Sequence, residues 1–144
     1  MPESILFLCT RNSARSQMAE ALARDLAARR GRDVQVYSAG TEARGVHPLA
    51  VRAMSELGLD LSSHRSKTLT EVPPHPTYVI TLCSSAAESC PVFPGARRVE
   101  HWDLPDPSAA QGTEDERLAA FRVVRNEIAR RLDDFWGRSF PARP

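Results

Sequence analysis

Apolar runs are short throughout this sequence. None approaches the roughly 18 residues that a membrane-crossing helix needs, and the N-terminus has no charged stretch followed by an apolar block of the kind that marks a chain for export. No membrane role is expected, and the chain reads as cytoplasmic. Net charge is nearly absent as well: lysine plus arginine number 19, aspartate plus glutamate 18, and the two signs are interspersed. That excludes the concentrated basic face of a nucleic-acid binder and the asymmetry that would draw an acidic macromolecule. Almost all the basic residues are arginine, a bias read as compositional. Cysteine is scarce and odd in number, three in 144 residues, which argues against a static disulfide framework and for reactive thiols. Repeats and low-complexity tracts are missing too. The length suits one domain with a real core, placed at residues 1–138 with a tail at 139–144, and a monomer is expected.

Against this background one stretch stands out, Ser4 to Ser16. Ile5-Leu6-Phe7-Leu8 is short enough and apolar enough to be a buried parallel strand, and it stops at Cys9, Thr10, Arg11, Asn12, Ser13, Ala14 and Arg15. Met18, Ala19, Ala21, Leu22 and Leu26 then recur at helical spacing. Strand, tight loop and helix in that order place the loop at the carboxyl end of a parallel strand and against a helix N-terminus, where open α/β folds bind anions. Backbone N–H groups curled around one point make a nest for a tetrahedral oxyanion. The same field favours the thiolate of Cys9. Arg15 offers two donors in one plane to two oxygens of the bound ion. An isolated cysteine and arginine at this spacing would be a strand-end thiol and an ordinary first-turn arginine; the flanking elements and the hydroxyls of Ser13 and Ser16 decide against that. Thiolate and oxyanion face to face suit nucleophilic attack on phosphorus or arsenic.

Cys9 to Arg15, followed by Ser16-Gln17-Met18-Ala19-Glu20, resembles the anion loop of the low-molecular-weight tyrosine phosphatases and of the thioredoxin-coupled arsenate reductases that share their fold. The resemblance implies an α/β fold of a single three-layer domain, with a four-stranded parallel sheet flanked by helices. The rest of the chain fits that order. A first helix is predicted from about Ala14 to Arg29, a second strand over Val34–Ala39 closed by Gly40, and a second helix from His47 to Leu57 ending at Gly58. His47 is expected as a solvated cap. A short turn falls around Leu69, a third strand over Tyr78–Leu82, and a fourth, edge strand over Arg97–Trp102. The last helix runs from Glu114 to Phe135, is stopped by Gly137, and leaves a frayed tail from Ser139.

The third strand, like the first, ends in a cysteine, Cys83. In a parallel sheet neighbouring carboxyl ends face one crevice, so Cys9 and Cys83 are expected within reach of each other. Cys90 lies seven positions on. Zinc sites pair cysteines at closer spacing, so no metal is expected. A fully helical Ser84–Cys90 segment would separate the two alpha carbons by about 10.5 Å, whereas a disulfide needs about 7 Å or less; a Cys83 to Cys90 bond requires a loop or an unwound turn. Ile80-Thr81-Leu82-Cys83 with Cys90-Pro91 resembles the redox pair of the arsenate reductases, and Asp106-Pro107-Ser108 has serine where the phosphatases place tyrosine. Phe121 to Ile128 also resembles the reductase C-terminal helix.

This resemblance implies reduction of arsenate to arsenite. Thr10, Arg11, Asn12, Ser13, Ala14, Arg15 and Ser16 bind the anion, Cys9 attacks it, Asp106 serves as general acid, and Cys83 and Cys90 carry the disulfide to reduced thioredoxin. No bound cofactor is expected. Some relatives bind potassium through positions matching Asn12, Glu20, Ser38 and an aspartate; Lys67 stands in the fourth position here, where its ammonium can replace the ion. Arg11 stands where the family loop often has glycine. The alternatives are a low-molecular-weight tyrosine phosphatase or other phosphomonoester hydrolase, needing only Cys9, Arg15 and Asp106, and an oxyanion or redox sensor. A mycothiol or glutaredoxin system could replace thioredoxin as reductant.

Overall fold

The computed structural model describes residues 3–84 and 95–140. Four strands, β1 (Glu3–Cys9), β2 (Val34–Gly40), β3 (Tyr78–Thr81) and β4 (Arg98–His101), pair in parallel in the order β2-β1-β3-β4. β1 has a neighbour on each side and buries both faces, which is why its sequence is continuously apolar rather than alternating. Ile5 and Phe7 enter the larger core, with Met18 and Leu26 of α1 (Arg15–Arg29), Leu49 and Met54 of α2 (Pro48–Ser55), and Phe121, Ile128 and Phe135 of α3 (Glu114–Ser139). Leu6 and Leu8 point the other way, into a smaller cluster with Ala39, Val72 and Val79, against which Leu69 of a 3-10 turn (Leu69–Glu71) packs.

The strand order matters for chemistry. The chain leaves β1 toward β2 on one side and returns in β3 on the other, so a switch point opens at the carboxyl ends of β1 and β3. Leu8 pairs with Thr81, and the Leu82 N–H donates to Leu8 O at 2.8 Å. Cys9 and Cys83 therefore follow directly from two hydrogen-bonded neighbours.

The predicted boundaries hold to within a residue except at the C-termini of two helices. α2 ends at Ser55 rather than Leu57, because the chain turns back through Gly58 at φ 75° with the Leu59 N–H bonded to Met54 O at 3.1 Å. α3 runs through Gly137 to Ser139. A helical glycine costs about 1 kcal/mol relative to alanine, and long-range packing outweighs it here. Phe140, only 5% exposed, stacks within 4.8 Å of Trp136 and 5.6 Å of Tyr78, with the Arg32 guanidinium 5.1 Å over its ring. The tail expected to fray from Ser139 is therefore ordered through Phe140. At its other end α3 starts on a capping box of Thr113 and Glu116 that periodicity did not single out. Residues 84–90, expected as helix or loop, lie outside the described residues beyond Ser84.

α2 and α3 are joined by charge. Buried Arg125 donates from Nη1 to Ala53 O and to Glu56 Oε1, both at 2.8 Å, and Arg122 forks onto the same carboxylate at 2.6–3.0 Å. Replacing Arg125 by methionine keeps the stem but removes both bonds, and is expected to cost about 1–3 kcal/mol in urea denaturation of the reduced protein. The hydrogen bonds from Arg122, then Arg125, hold the Glu56 carboxyl at about 2 instead of 4.5. A depressed carboxylate stabilises the fold above its unfolded value and loses that contribution as pH falls through the folded one. The urea midpoint of Glu56→Gln is therefore expected to fall less steeply than wild type between pH 4.5 and 2.

Candidate active site

The loop between β1 and α1 is bent by Asn12, which adopts φ 47°, the one positive φ among the described non-glycine residues. Asparagine tolerates this conformation because its short amide can bond locally. Here every arm of that amide is used. Oδ1 accepts from the Lys67 N–H at 2.8 Å and from Gln17 Nε2 at 2.9 Å, and Nδ2 donates to Ser16 Oγ at 2.8 Å. The Asn12 carbonyl accepts from Ser66 Oγ. Ser16 Oγ in turn lies 2.8 Å from Cys9 Sγ. Because Ser16 already accepts from Asn12, its own hydroxyl proton is free to be donated to a Cys9 thiolate.

Behind Asn12, Gln17 Nε2 also donates to Arg65 O at 3.0 Å, leaving its Oε1 to accept from His64 Nδ1 at 3.0 Å. Asn12, Ser16 and Gln17 are all fully buried. Burial pushes the His64 imidazole below its ordinary value, with Glu20 opposing and Arg24 and Lys67 adding to the effect.

Gly40, paired with Cys9 at the end of β2, is the floor of the loop. A Cβ there would lie 2.7 Å from Asn12 N, 2.8 Å from Thr10 O and 2.9 Å from Cys9 O, all backbone atoms. Thr10 O accepts from Thr41 Oγ1 and the Glu42 N–H, and Ser13 O accepts from the His47 N–H. Ala14 is the residue before α1 and supplies no capping acceptor, which leaves first-turn N–H groups of that helix for an anion. His47 caps α2 through Nδ1, but its ring packs 4.7 Å from Phe121, so it is half-buried rather than solvated as expected.

Arg15 is 4% exposed, and its Nη1 donates to Leu82 O at 3.2 Å and Leu104 O at 3.1 Å. These carbonyls belong to the segment just before Cys83 and the loop that carries Asp106, so one guanidinium fixes three chain segments together. Asp106 opens a 3-10 turn (Pro107–Ala109); its Oδ1 accepts from the Ser108 N–H at 2.9 Å and Oγ at 2.7 Å, and its Oδ2 lies 3.7 Å from Arg11 Nη1. Cys9, Arg11, Ser13, Ala14, Arg15, Asp106 and Ser108 line one small cleft. Cys9 is a free, buried thiol; Cys83 is fully buried and disulfide-bonded; Cys90 lies outside the described residues.

The potassium positions do not suit an ion. Buried Glu20 accepts from Ser38 Oγ at 2.6 Å, and its carboxylate is flanked by Arg24 Nη1 at 3.0 Å, His64 Nδ1 at 3.3 Å and Lys67 Nζ at 3.8 Å. Two tethered cations, Arg24 and Lys67, already stand against it. Among the described residues no group of three or more His, Cys, Asp or Glu side chains could hold a metal, and no helix is long and apolar enough to cross a membrane. Sequence reasoning missed Gln17, His64 and the two carbonyls that anchor Arg15.

A cysteine beneath a bent backbone loop, with a fixed arginine and an aspartate from a neighbouring loop on a parallel sheet, defines a phosphatase-type oxyanion centre. Residues 4–139 match the family described as low molecular weight phosphotyrosine protein phosphatase. An arsenate reductase of Bacillus subtilis (strain 168) is 47% identical over 132 residues, 91% of this chain and 93% of that one. The solved structure of an arsenate reductase in the phosphate binding state superposes with a TM-score of 0.78 at 32% identity, covering 94% of this chain and 98% of the other. A thioredoxin-dependent arsenate reductase of Corynebacterium glutamicum gives a TM-score of 0.66 at 27% identity, covering 95% of this chain and 61% of that one. The chain belongs to the low molecular weight phosphotyrosine protein phosphatase family, and within it to the arsenate reductases.

Because backbone rather than a flexible side chain stands against Gly40, Gly40→Ala must displace the loop. A misplacement on the order of 1 Å is worth about 10²-fold in rate, so arsenate turnover is expected to fall by roughly that factor, as measured beside thermal unfolding of the same variant.

Proposed function

We propose that the protein reduces arsenate to arsenite. The observation that carries this reading is the pairing of two cysteines with one oxyanion loop: Cys9 sits beneath it and Cys83 follows the hydrogen-bonded neighbour strand. A hydrolase needs the first thiol and has no use for the second. The names of its relatives support the same choice.

In the proposed sequence, arsenate enters the loop of Thr10 to Ser16, where backbone N–H groups and Arg15 take its oxygens. The Cys9 thiolate, receiving the Ser16 hydroxyl proton in a hydrogen bond, attacks arsenic. One arsenate hydroxyl departs as water on a proton delivered from Asp106 Oδ2. No electrons have moved from sulfur to arsenic in net terms until the next step. The Cys83 thiolate then attacks Cys9 sulfur, the sulfur–arsenic bond breaks with its electron pair passing to arsenic, and arsenite leaves. Two sulfurs have lost two electrons and arsenic has gained them. Cys90 displaces Cys9 from Cys83, and the Cys83 to Cys90 disulfide is returned to two thiols by thioredoxin. All the groups named come from one chain, in keeping with a monomer and with a single domain whose core reaches Phe140. A relay recharged by thiols belongs in a reducing compartment, the cytoplasm.

The test is arsenate-dependent NADPH oxidation with thioredoxin and thioredoxin reductase, beside hydrolysis of a phosphate ester by the same preparation. Turnover is expected with arsenate and to vanish on replacing Cys9, Cys83 or Cys90 by serine, with the Cys90 variant completing about one cycle per molecule. Sustained turnover by Cys90→Ser would remove the relay. Ester hydrolysis that depends on Cys9 but not on Cys83 or Cys90, without arsenate turnover, would make the chain a phosphatase.

A further inference from the structure

The two arginines of the cleft are held differently. Arg15 is buried and tied to two carbonyls. Arg11 has a fixed backbone, its carbonyl accepting from the Arg44 N–H at 3.2 Å and Ser66 Oγ at 3.3 Å, but a side chain that is 54% exposed. That side chain reaches across the mouth of the cleft to Asp106. It meets Oδ2, because Oδ1 already accepts twice from Ser108. Oδ2 is thus the oxygen free to carry a proton to substrate, and the Arg11 guanidinium opposes that proton. At 3.7 Å the contact is an ion pair looser than a hydrogen bond, and a half-exposed arginine can leave it readily.

We infer that Arg11 is a movable counter-ion of Asp106, paired with its carboxylate while the cleft is free of anion and transferred to the oxyanion when one binds. The transfer gives the anion a second guanidinium opposite Arg15. It also leaves Oδ2 without its cation and beside a negative ion, so Oδ2 takes up a proton from solvent. That proton then leaves with the departing arsenate oxygen as water, and the pairing with Arg11 is restored when product goes. The inference rests on the loop being an oxyanion site, and names what sets its acid in readiness.

The other charged and titratable groups around Asp106 do not duplicate this role. Cys9 and Arg15 lie across the cleft, Cys9 as the nucleophile and Arg15 anchored to its carbonyls. His47, at the start of α2, feels the Asp106 charge, but burial first and Arg117 second hold its imidazole below the ordinary value, so it is neutral near pH 7. Arg44 lines the adjoining groove with Arg11 and His47 and is paired to Glu42 at 2.6 Å.

The experiment compares wild type, Arg11→Gln and Arg11→Lys as full-length reduced proteins. Steady-state arsenate reduction, coupled to thioredoxin, thioredoxin reductase and NADPH, is followed across pH at varied arsenate, and inorganic phosphate affinity by calorimetry. A general acid makes kcat/KM fall at high pH as the free enzyme loses the proton, whereas kcat reports the complex. Arg11→Gln is expected to move the high-pH limb of kcat/KM upward and to leave that of kcat nearly in place, since in the complex Arg11 has already left Asp106. Phosphate affinity is expected to fall roughly tenfold with loss of one charge-assisted contact, and Arg11→Lys to recover most of both effects. Superimposable kcat/KM profiles with unchanged phosphate affinity would overturn the inference, and so would limbs of kcat and kcat/KM that move together, because Arg11 would then stay on Asp106 throughout. Phosphate binding that depends on Arg11 in a protein that reduces no arsenate would support the transfer to anion and defeat the reductase reading instead.

Discussion

The left-handed turn at Asn12 is the constraint on which the site depends. A loop whose N–H groups converge on one point must reverse its curvature within a few residues, and a residue at positive φ does this at a cost of about 1–2 kcal/mol for a side chain other than glycine. Glycine would make the bend without that cost but would hold nothing else. Asn12 makes the bend and then fastens it: its amide ties the Lys67 backbone, Gln17 and Ser16 to the loop, and Ser16 hands the chain of hydrogen bonds on to Cys9. Each such bond is worth about 1 kcal/mol net, so the set more than offsets the strain. The same residue therefore shapes the loop and orients the hydroxyl that meets the Cys9 sulfur.

Around that loop the sheet supplies position and Arg15 supplies rigidity. Parallel pairing of β1 with β3 brings two strand ends to one edge, which an antiparallel pair would send to opposite edges. The register then leaves Cys9 and Cys83 one step out of line, at the ends of adjacent strands. Arg15 is 4% exposed and fastened to the carbonyls of Leu82 and Leu104, so it is held before any anion arrives. Arg11, half-exposed and 3.7 Å from Asp106, is not held in this way.

What was legible in the sequence follows from the range of the interactions. The buried strand, the loop and the first helix could be read from Ile5 to Leu26 because period, cysteine and arginine all lie within a few turns of chain. The end of α3 could not, since Gly137 is a local stop and the aromatic packing of Phe140 on Tyr78 that overrides it joins residues far apart. Gln17 and His64 escaped for the same reason: each is an ordinary polar residue until the fold places them 3.0 Å apart. Asp106 was legible only through family resemblance, because an aspartate before proline is in general a turn residue. The fold then gives it both roles, with Oδ1 capping the turn and Oδ2 facing the cleft.

Lysine scarcity, a compositional habit when the sequence stands alone, acquires a local meaning beside Glu20. The chain uses arginine almost everywhere, and Lys67 is its one lysine. Its ammonium, 17% exposed, lies 3.0 Å from Arg65 O and 3.8 Å from Glu20 Oε1. A planar fork needs coplanar acceptors, whereas a compact ammonium serves a carbonyl and a carboxylate from one point. A buried carboxylate without a cation would be costly, and a dissolved ion would make the loop sensitive to its concentration. Lys67 serves both ends of the loop's support: its ammonium stands with Arg24 beside Glu20, and its backbone N–H donates to Asn12 Oδ1.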